Sequence, residues 1–575
     1  DAKAQRTTDS RQDAKAQRKE NLGVFAPLRE DIDLGVFAPL RETSDPDERT
    51  ILARRLVAER CLYGVDKNPL AVEMAKLSLW LITMDKGRAF SFLDHAFKCG
   101  DSLVGIHSLD QLRTWSLAGT GARQFGTLEL DLIIERMIAA RQQIEQMPVV
   151  DIEDQQVKGY LLADAEAITH DLKAAADMLI ASYYNTLKQQ AQATLRTALL
   201  VAARDGADVE EKWRAHADLG ALRSFHWPLE FPEVFLEKGR TGFDAFVGNP
   251  PFTGGKRIRD TLGDSYRTIL YALFADSQGG ADLCAFFFLR AYELLTARGN
   301  LGLIATNTIA QGDTRSTGLA AICDNGGVIF RAQTDMPWPG RAAVVVDVVH
   351  LSRAAMKAPF VLNGRHVATI SSYLDDQSFK IDPHSLAANE SKSFIGSFVN
   401  GMGFVLSPNE AEDLLSRDPK NRDVLFPYLN GEDLNSHPEQ KPSRWVINFF
   451  DWPRERTARG SWFNLDEKAQ QKAARDGVVP ADYPGAVAAD YPDCFKIVLE
   501  RVYPVRKEVN REAHRKYWWH YGDKRPALYA AISGTAQVLV CPQTTKYLSF
   551  VYVPNGWVYA HKIIVFSVDS TGFSA

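Results

Sequence analysis

The chain is 575 residues long, with 45% hydrophobic and 24% charged residues, which is the balance of an ordinary globular protein. That excludes a collagen, a disordered tail and a disulfide-stapled mini-protein, and the length suggests about three domains. Lys and Arg number 67 against 72 Asp and Glu, a net charge of -5, so any nucleic-acid surface is a local patch and not a global excess of cations.

The six cysteines, Cys61, Cys99, Cys284, Cys323, Cys494 and Cys541, are far apart and form no CxxC pair. This argues against a zinc site and a disulfide framework, and it fits a reducing cytosol. No run reaches the ~18 apolar residues of a membrane span. The longest, 342–351, is broken by Asp347 and has the length of a strand. The first residue is Asp and not Met, which leads us to expect a start inside a larger reading frame.

Residues 1–50 differ from the rest. Asp1–Arg6 recurs as Asp13–Arg18, and Leu22–Glu30 recurs as Leu34–Glu42, both with an offset of 12. Two such short copies do not make a solenoid. We expect a duplicated, poorly ordered leader without chemistry. From 51 the pattern becomes globular. Cys61–Asp66 reads as a short buried strand ending in an acid, Pro69–Ile82 as a helix, and Phe97–Leu103 as another short strand. Residues from about 127 to 222 are rich in Ala, Gln and Glu and poor in Gly and Pro. They read as a helical insertion, a packed helix pair.

Phe243–Gly248 reads as a strand running into Asn249-Pro250-Pro251-Phe252. Ala281–Ala297 reads as a helix, and Leu301–Ala305, Gly327–Ala332 and Ala342–Leu351 as strands. The alternation over 61–351 predicts a parallel, doubly wound α/β sheet. From about 354 short strands, aromatics and prolines replace it, which predicts a second domain over 354–575.

Ligands of open α/β sheets bind outside the carboxyl ends of the strands, where Asn249 falls. An exocyclic amine on an aromatic base is a poor nucleophile, because its lone pair is delocalised into the ring. An enzyme that alkylates it must accept hydrogen bonds from its N–H groups and draw the nitrogen towards sp³ geometry. The Asn249 side-chain oxygen and the Pro250 carbonyl can do so. The two prolines stiffen the loop that aims them, and Phe252 can stack on a base flipped from the duplex. A rigid turn without a ligand is the plain alternative. Asp66 could likewise cap the helix at Pro69, Asp282 could be an N-cap, and Asn307 could be a loop residue.

Together these residues resemble the N6-adenine DNA methyltransferases, and most closely the large Eco57I-like group of restriction-modification and phage-defence systems. The resemblance covers about 59–575. Tyr63-Gly-Val-Asp66-Lys-Asn-Pro69 is similar to the second motif of the family, whose acid binds the ribose of S-adenosylmethionine. Gly100-Asp101-Ser102-Leu103 is similar to the third, whose Asp contacts the cofactor's adenine. Asn249–Phe252 matches the catalytic fourth motif. Asp282 is placed like the fifth, which lines the cofactor pocket, and Thr306-Asn307-Thr308 resembles the loop beside the target base. The resemblance implies catalytic roles for Asn249, Pro250, Pro251 and Phe252. It implies cofactor binding by Asp66, Asp101, Ser102 and Asp282, with no metal. It also implies a site-specific adenine DNA methyltransferase in a bacterial cytoplasm, with double-stranded DNA and restriction or defence subunits as partners. A methylase of RNA or of protein glutamine, and a non-catalytic DNA-binding remnant, are the rivals.

One element of that family is absent. The first motif, Asp-Pro-x-x-Gly-x-Gly, has no counterpart in residues 1–60, whose two glycines are Gly23 and Gly35. The implied fold is therefore a Rossmann-like methyltransferase sheet lacking its central first-motif strand, with a helical insertion and a mixed α+β target-recognition domain. We expect the chain to lack an amino-terminal portion and to be weak or inactive alone. In the second domain, Gly431–Asp433 reads as a turn, Trp445–Phe449 as a buried strand and Ser461–Pro492 as an added loop. Lys496–Arg525 interleaves cations with Tyr503, Tyr517, Trp518, Trp519 and Tyr521. It reads as a DNA-facing surface or as an amphipathic helix with a solvated face.

Overall fold

The computed structural model describes residues 45–85, 89–125, 128–184, 188–205, 222–237, 239–338, 344–377, 386–457, 459–509, 511–546 and 548–567. The repeats at 1–42 lie outside them. The chain divides into two compact units, 1–380 and 381–575. The division falls later than 353 because the hairpin over 360–367 extends the sheet of the first unit.

In the first unit, α1 (Pro46–Arg60) leads into β1 (Gly64–Asp66) and α2 (Pro69–Ile82). The start of α2 is written in its sequence. Asn68 accepts a hydrogen bond from the Leu70 N–H at 3.0 Å, and Pro69 stands at the first helical position, where no N–H is needed. The cap is thus Asn68 and not Asp66. Strand β2 (Phe97–Cys99) pairs with β1 in parallel, with Asp66 opposite Cys99.

The insertion contains α3 (Leu128–Gln146), α4 (Ile152–Ala181) and α5 (Gln189–Asp205). Asp177 of α4 fastens it to the segment before β3. Asp177 accepts from Ser224 Oγ and lies 3.1 Å from His226 Nε2, while His226 Nδ1 accepts from the Ile106 N–H at 3.3 Å. Arg141 of α3 is buried against the fully buried Glu233, with Nε 3.3 Å from the carboxylate, and it also donates to the carbonyls of Glu230 and His95.

Then come β3 (Phe243–Gly248), α6 (Gly255–Leu262), α7 (Asp264–Leu273), α8 (Leu283–Glu293), β4 (Leu295–Thr306), β5 (Val328–Pro337), β6 (Val345–Ser352), β7 (Phe360–Leu362) and β8 (Arg365–Val367). Their sheet has the order β3-β4-β6-β5-β7-β8. Strands β3 and β4 are parallel, but β6 runs antiparallel to both β4 and β5. This corrects the all-parallel expectation. The link between β5 and β6 spans only 338–344, too short for the crossover a parallel pair needs. Residues 295–297, read as the end of a helix, begin the long strand β4. Helix α8 is apolar over most of its surface and fills the core beside β4, with Cys284, Ala285, Phe286 and Phe288 fully buried.

The second unit has two four-stranded sheets. Strands β9 (Ser393–Ile395), β10 (Val405–Leu406), β11 (Leu425–Leu429), β12 (Arg444–Ile447), β13 (Glu455–Thr457), β14 (Val478–Pro480), β15 (Gln537–Pro542), β16 (Val551–Pro554), β17 (Val558–Tyr559) and β18 (Ile563–Phe566) are arranged as β10-β12-β11-β17, β16-β15-β18-β9 and the pair β13-β14. Gly431–Asp433 is not a bare turn. It opens a short helix, Gly431–Ser436, whose first N–H groups at Glu432 and Asp433 are held by the Asn430 side chain. The expected loop at 461–492 carries a helix, Glu467–Asp476, and strand β14.

The helix Pro408–Arg417 starts with a capping box. The Ser407 N–H donates to Glu410 at 2.8 Å, the Glu410 N–H donates to Ser407 Oγ, and Arg501 pairs with Glu410 at 2.6 Å. The backbone bond first, and Arg501 next, hold the Glu410 carboxyl down at about 2. A depressed acid binds fewer protons folded than unfolded. Its stabilisation is present above about 4.5 and is lost as pH falls towards about 2. Glu410→Gln is expected to cost about 1 kcal/mol at neutral pH and to flatten part of the acid limb, read from urea midpoints against pH.

Candidate functional site

Asp66 and Asp101 lie at the carboxyl ends of the parallel pair β1–β2, and Asn249 and Thr306 at those of the parallel pair β3–β4. Asp66 is exposed at the end of β1, with Oδ1 accepting from the Asn68 N–H at 2.7 Å. Its carbonyl accepts from the Gly100 N–H at 3.0 Å, which ties the turn before Asp101 to the end of β1.

Asp101 is buried and fully engaged. Oδ2 lies 3.1 Å from Lys67 Nζ, while Oδ1 accepts from Tyr266 Oη at 3.3 Å and from the Leu103 N–H at 3.1 Å. Lys67 also stands 5.2 Å from the Tyr266 ring centre. Burial, and then the Asp101 charge, push the Tyr266 hydroxyl well above its ordinary range, so it donates and stays neutral. Ser102 uses its carbonyl to accept from Trp227 Nε1 at 3.1 Å. Lys67 and Tyr266 were not singled out in the sequence. Lys67 adjoins Asp66 and could have been noticed. Tyr266 carries no local signal, because 165 residues separate it from Asp101.

The Asn249–Phe252 loop leaves β3 with Asn249 exposed, Pro250 buried, Pro251 exposed and Phe252 half-buried against the α8–β4 core. Asp282 holds the next residues. Its Oδ1 accepts from the Thr253 N–H at 3.2 Å and from the Cys284 N–H at 3.0 Å, and the Leu283 N–H donates to the Thr253 carbonyl at 2.9 Å. Asp282 is thus both the N-cap of α8 and a clamp on the loop. Gly255 closes the same junction. A Cβ there would lie 2.5 Å from the Gly280 carbonyl, so only glycine permits this approach of the backbones. Thr306 ends β4 and Asn307 follows it, and Leu303 of β4 is in register with Gly248. Thr306 Oγ1 and Thr308 Oγ1 bond each other at 2.7 Å.

Asp282→Ala is therefore expected to cost about 1–2 kcal/mol in stability from the lost cap. The larger effect is a loosened loop, visible as faster amide exchange at Thr253 and Cys284. Asp282→Asn, which keeps the acceptor oxygen, should restore most of the protection.

The Lys496–Arg525 segment departs from the DNA-facing reading in its aromatics. Trp518, Trp519 and Tyr521 are buried in the core of the second unit, because they pack on Phe495, Phe404 and their own neighbours. Several cations are neutralised nearby, as Lys496 by Glu500, Arg501 by Glu410 and Lys516 by Asp476. Arg506 is buried and donates to the carbonyls of Val399, Asn400 and His520. For Trp518, Trp519 and Tyr521 the interleaving therefore belongs to packing, whereas Tyr503 is exposed.

No helix is long and apolar enough to cross a membrane among the described residues. Residues 60–322 match the family described as Eco57I restriction-modification methylase. A putative type II restriction enzyme and methyltransferase of Methanocaldococcus jannaschii is 25% identical over 275 residues, covering 44% of this chain. The chain spans 22% of that relative's length. Among solved structures, the type IIL restriction-modification enzyme MmeI in complex with DNA aligns at 13% identity with a TM-score of 0.42, over 85% of this chain and 64% of that one. The type IIG restriction endonuclease BpuSI aligns at 12% identity with a TM-score of 0.20, over 81% of this chain and 65% of that one.

Proposed function

Taking residues 60–322 as an Eco57I restriction-modification methylase domain, we propose that the chain is the methylating part of a DNA-modification enzyme that transfers a methyl group from S-adenosylmethionine to adenine N6. The observation that carries this reading is Asn249, exposed at the carboxyl end of β3 on a loop fixed by two prolines and clamped by Asp282. When bound, the cofactor would supply an electrophilic methyl carbon, its S–CH3 bond breaking to release the neutral thioether S-adenosylhomocysteine while the methylated amine loses one proton to solvent. The Asn249 Oδ1 and the Pro250 carbonyl accept the two N–H groups of the amine and hold its lone pair towards that carbon. No covalent enzyme intermediate is needed. Phe252 supports the flipped base by stacking. The exposed carboxylate of Asp66 suits a ribose diol. Asp101 can accept from an adenine amine once Lys67 swings away, with Tyr266 and Leu103 keeping its other oxygen oriented.

The test is incubation of stoichiometric chain with methyl-labelled S-adenosylmethionine and duplex DNA, followed by nucleoside analysis. Label in N6-methyladenine is expected. Label in cytosine, in RNA or in added protein instead overturns the reading.

A further inference from the structure

The downstream end of the Asn249 loop leans on one short turn. Thr253 bonds Asp282 and Leu283, and Gly255 lies against the Gly280 carbonyl, so these contacts all fall on residues 280–283. The turn over 278–282 is in turn held from elsewhere. Three of its N–H groups donate to side chains that lie 32 to 39 residues further along the chain. Gln278 donates to Thr317 Oγ1 at 2.9 Å, Gly280 to Asp313 Oδ2 at 2.9 Å and Asp282 to Thr314 Oγ1 at 3.1 Å. A Cβ at Gly280 would lie 2.5 Å from Asp313 Oδ2, so glycine is what lets the carboxylate reach this backbone.

The three acceptors share one rigid support. Asp313, Thr314 and Thr317 sit on a helical segment, 312–324, at positions i, i+1 and i+4, which fall on one side of a helix. The segment contains a π turn at Ser316–Ala320, a feature frequent at functional sites. Thr314 and Thr317 are buried. Arg315, also buried, ties the segment to the turn at 371–375, with Nη1 donating to Ser372 Oγ at 2.9 Å and the guanidinium 3.9 Å from the Tyr373 ring centre. The segment also follows β4 closely, after the single turn Asn307–Ala310. The fully buried Cys284 thiol has both Asp282 and Thr306 as hydrogen-bond neighbours. The loops after β3 and β4 thus hang on one support.

We propose that Asp313, Thr314 and Thr317 are positioning residues for the Asn249 loop. They fix the turn at 278–282, and the turn fixes the loop through Asp282 and Gly255. None of the three has to touch a base or a cofactor. Three backbone donors met by side chains of one helix leave the turn a single position, whereas donors met by water would leave it many. The consequence for catalysis rests on Asn249 accepting the target amine, and a displacement of about 1 Å at a reacting geometry costs on the order of 100-fold in rate. The clamp itself is independent of that role.

The test is amide exchange of the full chain resolved at single residues, with single-turnover methyl transfer to duplex DNA measured on the same preparations. Asp313→Ala and, separately, Thr314→Val each remove one acceptor. Exchange is expected to quicken at least tenfold at Thr253, whose N–H bonds Asp282 and neither altered residue, and to stay unchanged within β4 and β6. Asp313→Asn and Thr314→Ser keep an acceptor oxygen and restore the slow exchange. Transfer slows at least tenfold in the first two variants and recovers in the second two, with DNA binding unaltered. Unchanged exchange at Thr253 overturns the proposal. So does exchange that quickens equally in β4 and β6, or that the conservative variants fail to restore, because the loss is then a general one. Quickened exchange at Thr253 with an unaltered transfer rate sustains the positioning of the loop and counts against the catalytic role of Asn249 instead.

Discussion

Replacing Asn249 by Ala is expected to lower methyl transfer to DNA by about 100- to 1000-fold, the range seen when one preorganised hydrogen-bonding partner of a transition state is removed. The loss falls on the chemical step. Asn249 is exposed and the described residues show no packing role for it, so the unfolding midpoint should not move. In the proposed role the amide oxygen accepts an N–H that becomes more acidic as the nitrogen attacks, so the bond is stronger in the transition state than in the bound substrate. Asn249→Asp keeps an acceptor and should retain more activity than Ala, although its charge perturbs the loop. Single-turnover rates with labelled methyl donor check this, alongside DNA binding, which should be unchanged. A variant with unaltered single-turnover rate would remove Asn249 from the chemistry.

The largest expected effect on stability is at Arg141. Its guanidinium and the Glu233 carboxylate are both almost wholly buried, at 6% and 1% side-chain exposure, with 3.3 Å between them. Arg141→Ala strands Glu233 without its cation and leaves the Glu230 and His95 carbonyls short of a donor. A broken buried pair costs about 3–5 kcal/mol, mostly the penalty of the remaining unpaired charge. Burial already pushes the Glu233 carboxyl up, with Arg141 opposing it, so removal of Arg141 raises it further. The prediction is read as a lowered urea midpoint for the first unit. Replacing both partners together, as Arg141→Met with Glu233→Leu, should recover much of the loss, because apolar groups of similar volume leave no charge to desolvate. If the double variant is no more stable than Arg141→Ala, the cost lies in the carbonyl contacts of Arg141 and not in the pair.

The candidate site was legible where its elements are local. A strand ending in Asn-Pro-Pro-Phe, an acid closing Tyr63–Asp66 and an acid in Gly100–Leu103 can each be read within a few residues. The helix Pro69–Ile82 was legible for the same reason, since Asn68, Pro69 and the apolar spacing all lie within it. What Asp282 does was only half legible. Its place as an N-cap is local, but its bond to the Thr253 N–H spans 29 residues. The direction of β6 was misread because the Val-rich run at 345–352 looks the same parallel or antiparallel. Only the short link at 338–344 distinguishes them. For the Trp518–Tyr521 cluster the sequence left a DNA-facing surface and an amphipathic helix both open, because aromatics beside cations suit a DNA face and a core alike. Burial decides between the two, and burial is a property of the packed unit.

The opening composition already limited the protein to a globular chain of slightly acidic balance, on which any nucleic-acid contact is local. The sequence by itself also determined the order of the strands that carry Asp66, Asp101, Asn249 and Thr306, because turn and strand preferences act over a few residues. The tertiary structure alone decided which groups meet: Lys67 and Tyr266 on Asp101, Asp282 on the Thr253 loop, and Arg141 on Glu233. It also decided that Tyr63, just before β1, and Phe243 of β3 share one aromatic cluster. Such contacts depend on chain segments far apart in sequence, and their energies come from burial and hydrogen-bond geometry that exist only after the units have packed.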